Sequence, residues 1–412
     1  MGVAVERKSS SIKGFPRRLQ GFIRRIRWFN FTFLVLIPLA GLIQALWVPL
    51  HWKTLIWSAI YYVLTAGSIT TGYHRLWAHR AYSGSPTLKI LLALFGAGSI
   101  QGSIKFWARE HRAHHRFTDT DRDPHNIQEG FWHAHILWTI LEQPKKDNRV
   151  DISDIKNDRI VMWQHENYVL LALGMGWAFP AAVAGLGWGD WYGGFIYAGI
   201  IRTFLVNQAT FCVNSLAHYL GDQPYDDRRT PRNHLITAII TLGEGYHNFH
   251  HEFPSDYRNG IEWHQLDPTK WMIWLCSWFG LAYNLKRFRY NEIEKGRIQQ
   301  ARKRLEEKGS TLEWGVPIAQ LPVIEWTEYQ KRVEDGEMLT LVEGVVHDVS
   351  AFYQEHPGGK AMITSQLGKD ASAIFNGGIY NHSNAARNLL ATMRVAALIG
   401  GMEVEERKTQ PS

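Results

Sequence analysis

Residues 107–117 read WAREHRAHHRF, and its three histidines, His111, His114 and His115, stand three and four apart or side by side. A helix projects such positions toward one side. Burying several imidazoles without partners is costly, so ordinary packing is a poor account of them. Three further blocks share the pattern: HRLWAH (74–79) with His74 and His79, NSLAH (214–218) with Asn214 and His218, and HNFHH (247–251) with His247, His250 and His251. Neutral imidazole suits zinc, copper, iron and nickel. One ion offers about six coordination places, so nine nitrogens imply at least two ions. Asn214 precedes His218 by one helical turn, which brings its amide to the same centre, directly or through water. Glu110, Asp119, Asp121, Asp123 and Glu244 are candidates to orient the ligating rings. His51, His133, His135, His165, His234, His264 and His347 are isolated and read as ordinary. His125, in DPHN, reads as a turn or supporting residue.

The blocks lie among apolar stretches. Phe31 to Leu50, Thr54 to Tyr73 and Asn167 to Gly189 carry no charged residue, and Trp191 to Ala217 carries only Arg202. Each is about long enough to span a bilayer as a helix. The short links at residues 51–53 and 189–190 make two hairpins. A basic segment, RRLQGFIRRIRWF (17–29), precedes the first and should stay cytosolic. Four crossings then put all four histidine blocks on the cytosolic face. Leu88 to Ile104 is apolar too, but Lys89 makes it an interfacial or cytosolic amphipathic helix. Arg202, inside an apolar helix, should face the protein interior or its cytosolic mouth. Two cysteines, Cys212 and Cys276, exclude a disulfide framework.

Charge divides the chain. Residues 311–412 hold 8 Lys and Arg against 13 Asp and Glu, a net of −5, and the rest of the chain is net +12. The stretch 286–309, KRFRYNEIEKGRIQQARKRLEEKG, reads as a basic amphipathic helix, either solvated or against anionic lipid. Beyond it, strand-like LTLVEGVVHDV (339–349) leads to HDVSAFYQEHPGGKAMI (347–363). The proline and paired glycines after His356 end a helix and allow close backbone approach, as a flat macrocycle requires. His382 follows in NHSNAARNLL (381–390). Two imidazoles from opposite faces leave haem iron six-coordinate, able to exchange electrons.

The blocks HRLWAH, HRAHH and HNFHH resemble the three histidine boxes of membrane fatty acyl desaturases, and NSLAH resembles the extra ligand block of the acyl-CoA delta-nine type. The likeness covers roughly residues 20–290. It implies a di-iron centre ligated by His74, His79, His111, His114, His115, His218, His247, His250 and His251, with Asn214 reaching iron through water. It also implies a kinked acyl tunnel shaped by Gln101, Trp107 and Thr210 and closed at its end by Tyr62 and Ala66, with Arg109 and Glu110 near the coenzyme A headgroup. Gly102 and Phe211 depart from the Asn and Trp of the animal enzymes. The C-terminal segment resembles cytochrome b5, with His356 and His382 as axial ligands of haem b. Its C-terminal position, and a third box that opens with His247, resemble the fungal-type enzymes.

The expected architecture is mainly α: four transmembrane helices with a cytosolic helical cap holding the two metals, plus a small α+β haem domain. The expected segments are 1–30 (basic), 31–290 (desaturase), 291–318 (charged helix and linker), 319–402 (haem domain) and 403–412 (tail). The resemblance implies insertion of a cis double bond between carbons nine and ten of stearoyl- or palmitoyl-CoA. It implies O2 and NADH–cytochrome b5 reductase as partners, membrane lipid as surroundings and no nucleic acid. The endoplasmic reticulum membrane is the expected place, with both termini and the haem domain cytosolic. The alternatives are a di-iron membrane lipid hydroxylase and a membrane-tethered haem electron carrier.

Overall fold

The computed structural model describes residues 22–144 and 147–400; most of the basic N-terminal segment and the tail 403–412 lie outside the described residues. The chain divides into two units, Met1–Arg302 and Lys303–Ser412.

The first unit is helical. Trp28–Gln44 is followed, across a short link, by Trp52–Ser68, which continues as a wider π-helical stretch over Ile69–Ala78. His51 caps this helix by accepting from the Lys53 amide. Pro86–Ala97 starts at a Ser85 cap with proline at its first position. Ile104–Phe117 starts at a Ser103 cap. Tyr168–Trp188 and Trp191–Tyr219 are long and apolar enough to cross a bilayer. Gly189, at φ +79°, turns the chain between them. Trp28–Gln44 is apolar but has 17 residues, and Trp52–Ala78 is long but less apolar, so among the described residues two of the four expected crossings are both long and apolar enough to span. The two hairpin bends meet: Thr54 donates to Asp190 and accepts from the Trp188 indole.

Small residues bring these helices together, as they must where lipid provides little hydrophobic drive. A Cβ at Gly41 would lie 2.5 Å from Ile200. The outward faces carry Leu55, Ile56, Ile60, Val169 and Leu170, all exposed. Such a surface is disfavoured in water and suits lipid. The helices that carry the first two histidine blocks share a core that includes Tyr73, Trp77, Leu88, Ile104 and Ile273.

The expected apolar helix 88–104 stops short at Ala97. The chain turns through Ile100 (φ +55°) and Gly102 (φ +94°) before the next helix begins. Gly102 also departs from the animal pattern; both glycine and asparagine tolerate a left-handed backbone. The charged helix runs Tyr290–Ser310. Its first half joins the body: Ile293 packs with Phe249 and Phe253, and Arg297 donates to Tyr225 and Glu262.

In the second unit, Val323–Ile324 runs parallel to Arg394–Leu398, which pairs antiparallel with Val345–Asp348, itself antiparallel to Leu339–Val342. The single strand-like run of the sequence is therefore a hairpin. Glu343 (φ +53°) and Gly344 (φ +78°) make its two-residue turn, the conformation that suits a twisted ribbon. Ile324, Tyr329, Leu339, Leu341, Val346 and Ala396 form the core, and a large side chain buried there contributes about 1.5–3 kcal/mol.

His347 is buried on this sheet. Burial, and then the Arg394 guanidinium, push its imidazole down to about 4. The unfolded chain protonates it near pH 6.5, so between pH 6.5 and 4 the unfolded state holds the extra proton. Stability is complete above that window and falls as pH drops through it, by on the order of 3 kcal/mol. Urea unfolding followed at pH 7 and pH 4.5 should show the loss, and His347→Leu should remove that share of it.

Candidate metal centre

The second-box helix Ile104–Phe117, the π-helical end of Trp52–Ala78, the end of Trp191–Tyr219 and the short helix His247–Glu252 converge on one point. The nine histidines separate there into two groups. His74, His79, His111, His115 and His250 form one; His114, His218, His247 and His251 form the other. Nitrogens in each group lie within 4.8 Å of one another.

The closest separations identify the donor set. In the first group, Nε2 atoms lie 2.9 Å apart for His74 and His250, 2.8 Å for His79 and His111, and 3.0 Å for His115 and His250. In the second they lie 3.1 Å apart for His218 and His247, 3.0 Å for His247 and His251, and 3.3 Å for His114 and His251. Nitrogens about 2.1 Å from one ion in neighbouring octahedral places are about 3 Å apart. The residues fit two nitrogen-bound ions. Burial, reinforced by the neighbouring imidazoles, pushes His111, His115, His247, His250 and His251 well below the ordinary histidine range. They are held neutral, the form that ligates metal. Asn214 lies on the cavity wall with His114 and His247.

Carboxylates orient the rings from behind. His74 Nδ1 lies 2.8 Å from Glu244, and His114 Nδ1 lies 3.0 Å from Asp123. Burial alone would raise both carboxyls. Arg75 and His74 instead hold Glu244 down to about 2, and His114 holds Asp123 well below the usual range. Asp119 acts at one remove: it accepts from Thr230, whose hydroxyl meets His218 Nδ1 at 2.8 Å. Of the other candidates, Glu110 pairs with Arg109 and Asp121 is exposed. Arg75, Asp267 and Asn259 complete the Glu244 network. Arg75 sits inside the first block, but nothing in the sequence marks Asp267, Asn259 or Thr230. Glu244→Gln should lower metal retention under chelator competition by roughly 10- to 100-fold, with turnover falling in parallel.

This cavity meets both groups. Tyr62, Ala66, Trp107 and Thr210 line it together with His74 and His111. The Trp107 ring stacks on His111 at 4.9 Å, and its indole donates to Gln101, which donates to Thr210 at 2.8 Å. Tyr62 donates to the Ile240 carbonyl. Arg109 is exposed on the helix surface beside Glu110. Phe211 packs edge-on against His135, which also contacts Ser215 and Gln208.

The second unit holds a separate cavity of about 800 Å³, lined by Val342, Phe352, Met362, Phe375, Leu389 and the two histidines His356 and His382. Their ring centroids are 6.3 Å apart. Two metal–nitrogen bonds of about 2 Å, plus about 1.1 Å from each nitrogen to its ring centre, add up to a centroid spacing of about that size. Both Nδ1 atoms are anchored, to the Gly359 carbonyl and to the Phe375 carbonyl, which leaves Nε2 for a ligand. A Cβ at Gly358 would come within 2.9 Å of the His356 ring. The cavity fits a haem held between two imidazoles.

Both units match known families. Residues 50–287 match the fatty acid desaturase family, and residues 325–399 match the cytochrome b5-like heme/steroid binding domain. A probable acyl-CoA desaturase of Schizosaccharomyces pombe is 49% identical over 395 residues, covering 96% of this chain and 82% of the relative. Acyl-CoA desaturase 1 of Saccharomyces cerevisiae is 47% identical over 386 residues, covering 93% and 76%. A human stearoyl-CoA desaturase is 34% identical over 267 residues, covering 63% and 74%.

Proposed function

The chain belongs to the fatty acid desaturase family and carries a C-terminal cytochrome b5-like domain, and on that premise we propose that it is an acyl-CoA desaturase that supplies its own electron donor. The observation that carries this reading is the pair of histidine groups facing a cavity lined by Tyr62, Ala66, Trp107 and Thr210. The curated relatives are named desaturases, which favours neither the hydroxylase nor the tethered haem carrier.

The substrate is stearoyl- or palmitoyl-CoA and the product carries a cis double bond between carbons nine and ten. His74, His79, His111, His115 and His250 would hold one iron and His114, His218, His247 and His251 the other; the pair would supply the oxygen-dependent removal of two hydrogens, with two donor electrons and two protons completing the reduction of O2 to water. The protein's share is placement. Gln101, Trp107 and Thr210 bend the acyl chain beside His111, and a bent chain held close to the oxidant removes most of the entropic cost of reaction. Tyr62 and Ala66 close the far end. Arg109 and Glu110 sit at the headgroup end, and Asn214 meets the second metal group through water. His356 and His382 would hold haem b, which would supply one-electron exchange, with NADH electrons delivered by a separate cytochrome b5 reductase.

The meeting of Thr54 with Asp190 supports four crossings. From Thr54 to His74 is 20 residues, about 30 Å of helix, the thickness of a hydrocarbon core. The bends then lie on one side of the bilayer and the histidines on the other, which we take as the cytosolic face of the endoplasmic reticulum. Enlarging Ala66 to Phe should shift product toward shorter acyl chains and Tyr62→Ala toward longer ones. Each methylene is worth roughly 10-fold in selectivity, read as the ratio of sixteen- to eighteen-carbon products. The direct test is gas chromatography of fatty acids from a host lacking its own desaturase, with and without this chain; no new unsaturated fatty acid would refute the reading.

A further inference from the structure

Arg202 is 1% exposed in the middle of the long apolar helix Trp191–Tyr219. A guanidinium is always charged, and among the described residues no carboxylate pairs with it. Its donors are spent on backbone and hydroxyl oxygens instead. Nε donates to Ala198 O (2.8 Å), Nη1 to Thr65 Oγ1 (2.9 Å), and Nη2 to Gly98 O (3.0 Å), Gly176 O (2.8 Å) and Thr203 Oγ1 (2.7 Å). Further along the same helix, buried Asn207 donates to Ser99 O at 3.0 Å and to Thr203 O at 2.9 Å. Next comes Thr210, which accepts from Gln101. One helix thus holds residues 98, 99 and 101 in order.

The segment it holds needs holding. Ile100 has φ +55°, which a β-branched residue rarely adopts, and Gly102 has φ +94°. The segment also leads directly into the Ser103 cap of the helix that carries His111, His114 and His115. Through Gln101 it fixes the Trp107 indole, which lies on His111.

We propose that Arg202 and Asn207 are positioning residues that determine which carbon–carbon bond of the acyl chain is desaturated. They hold the 98–102 loop so that the bend made by Gln101, Trp107 and Thr210 stands at one height relative to the histidine groups. This rests on the desaturase reading above. Successive carbons of an extended chain advance by only about 1 Å, and misplacement of that size costs roughly 100-fold in rate. A slack loop therefore both slows the reaction and blurs its position.

The test uses full-length chain in a desaturase-deficient host supplied with stearate, comparing the parent with Arg202→Lys, which keeps the charge but lacks the fork, and Asn207→Leu, which keeps the branching at Cγ but removes the amide donor. Double-bond positions are located by mass spectrometry of derivatised esters, and product is normalised to haem absorbance. The expected result is turnover lowered roughly 10- to 100-fold together with product unsaturated at neighbouring positions. A single, unmoved position in both variants overturns the proposal at any turnover, because loss of folded protein lowers the amount without moving the bond. If Arg202→Lys does not accumulate, Asn207→Leu decides; failure of both to accumulate assigns the pair to stability alone and overturns it. A parent chain that makes no olefin overturns the desaturase reading itself, and this inference with it.

Discussion

His115→Ala or His251→Ala will abolish unsaturated product while haem absorption stays at the parent level. The two rings stack at a centroid distance of 4.1 Å, with planes 11° apart. They belong to different groups: His115 Nε2 lies 3.0 Å from His250, and His251 Nε2 lies 3.0 Å from His247. Each substitution therefore takes one nitrogen from one site and a packing partner from the other. Loss of an outer hydrogen-bonding group lowers metal affinity or activity by 10- to 100-fold, and loss of a ligand removes the bond itself. Haem is spared because the second unit has its own core of Ile324, Tyr329, Leu339 and Val346. Fatty acid analysis, the haem spectrum and iron per chain, measured on the same membranes, read the effect. Undiminished desaturation from either variant would sink the two-metal assignment.

The meeting of the histidines was legible because helical spacing survives folding: histidines three or four apart stay neighbours wherever their helix goes. Their division into five and four was not legible. His114 and His115 adjoin in sequence yet join different groups, as do His250 and His251. Consecutive residues on a helix diverge by roughly 100°, so one helix laid between two ions serves both. Only the packing of the helices decides which ring goes where. Thr230 and Asp267 had no local signal, because what they support is brought to them by the fold; His218 lies 12 residues away from Thr230, and Arg75 lies 192 residues from Asp267. The end of the helix at Ala97 was hidden for a similar reason. An apolar run from Leu88 to Ile104 favours continued helix, and the oxygens that leave the ladder at Gly98 and Ser99 are satisfied by Arg202 and Asn207 from another helix. The hairpin in the second unit is a different case. Glu343-Gly344 is a recognisable two-residue turn, but the run LTLVEGVVHDV is apolar on both sides of it and reads as one strand unless the glycine is given its weight.

His356→Ala will remove the haem band and with it desaturation by the intact chain, in a host that has no free cytochrome b5. The site is built so that neither histidine works alone. Phe375 stacks on His382 at 4.3 Å and holds its Nδ1 through the main-chain carbonyl, while Gly359 does the same for His356. With His356 gone, His382 alone would be left to hold the haem in this cavity, and the haem and its band would be lost together. The metal groups of the first unit keep their ligands, so iron outside haem should remain at the parent level. Adding a separate cytochrome b5 should restore product only in part. A tethered donor acts at an effective concentration in the millimolar range, which a free protein does not reach in a cell. Full activity from a haem-free His356→Ala chain, with no other donor present, would mean that electrons enter the first unit by another route, and the C-terminal domain would lose its assigned part in the reaction.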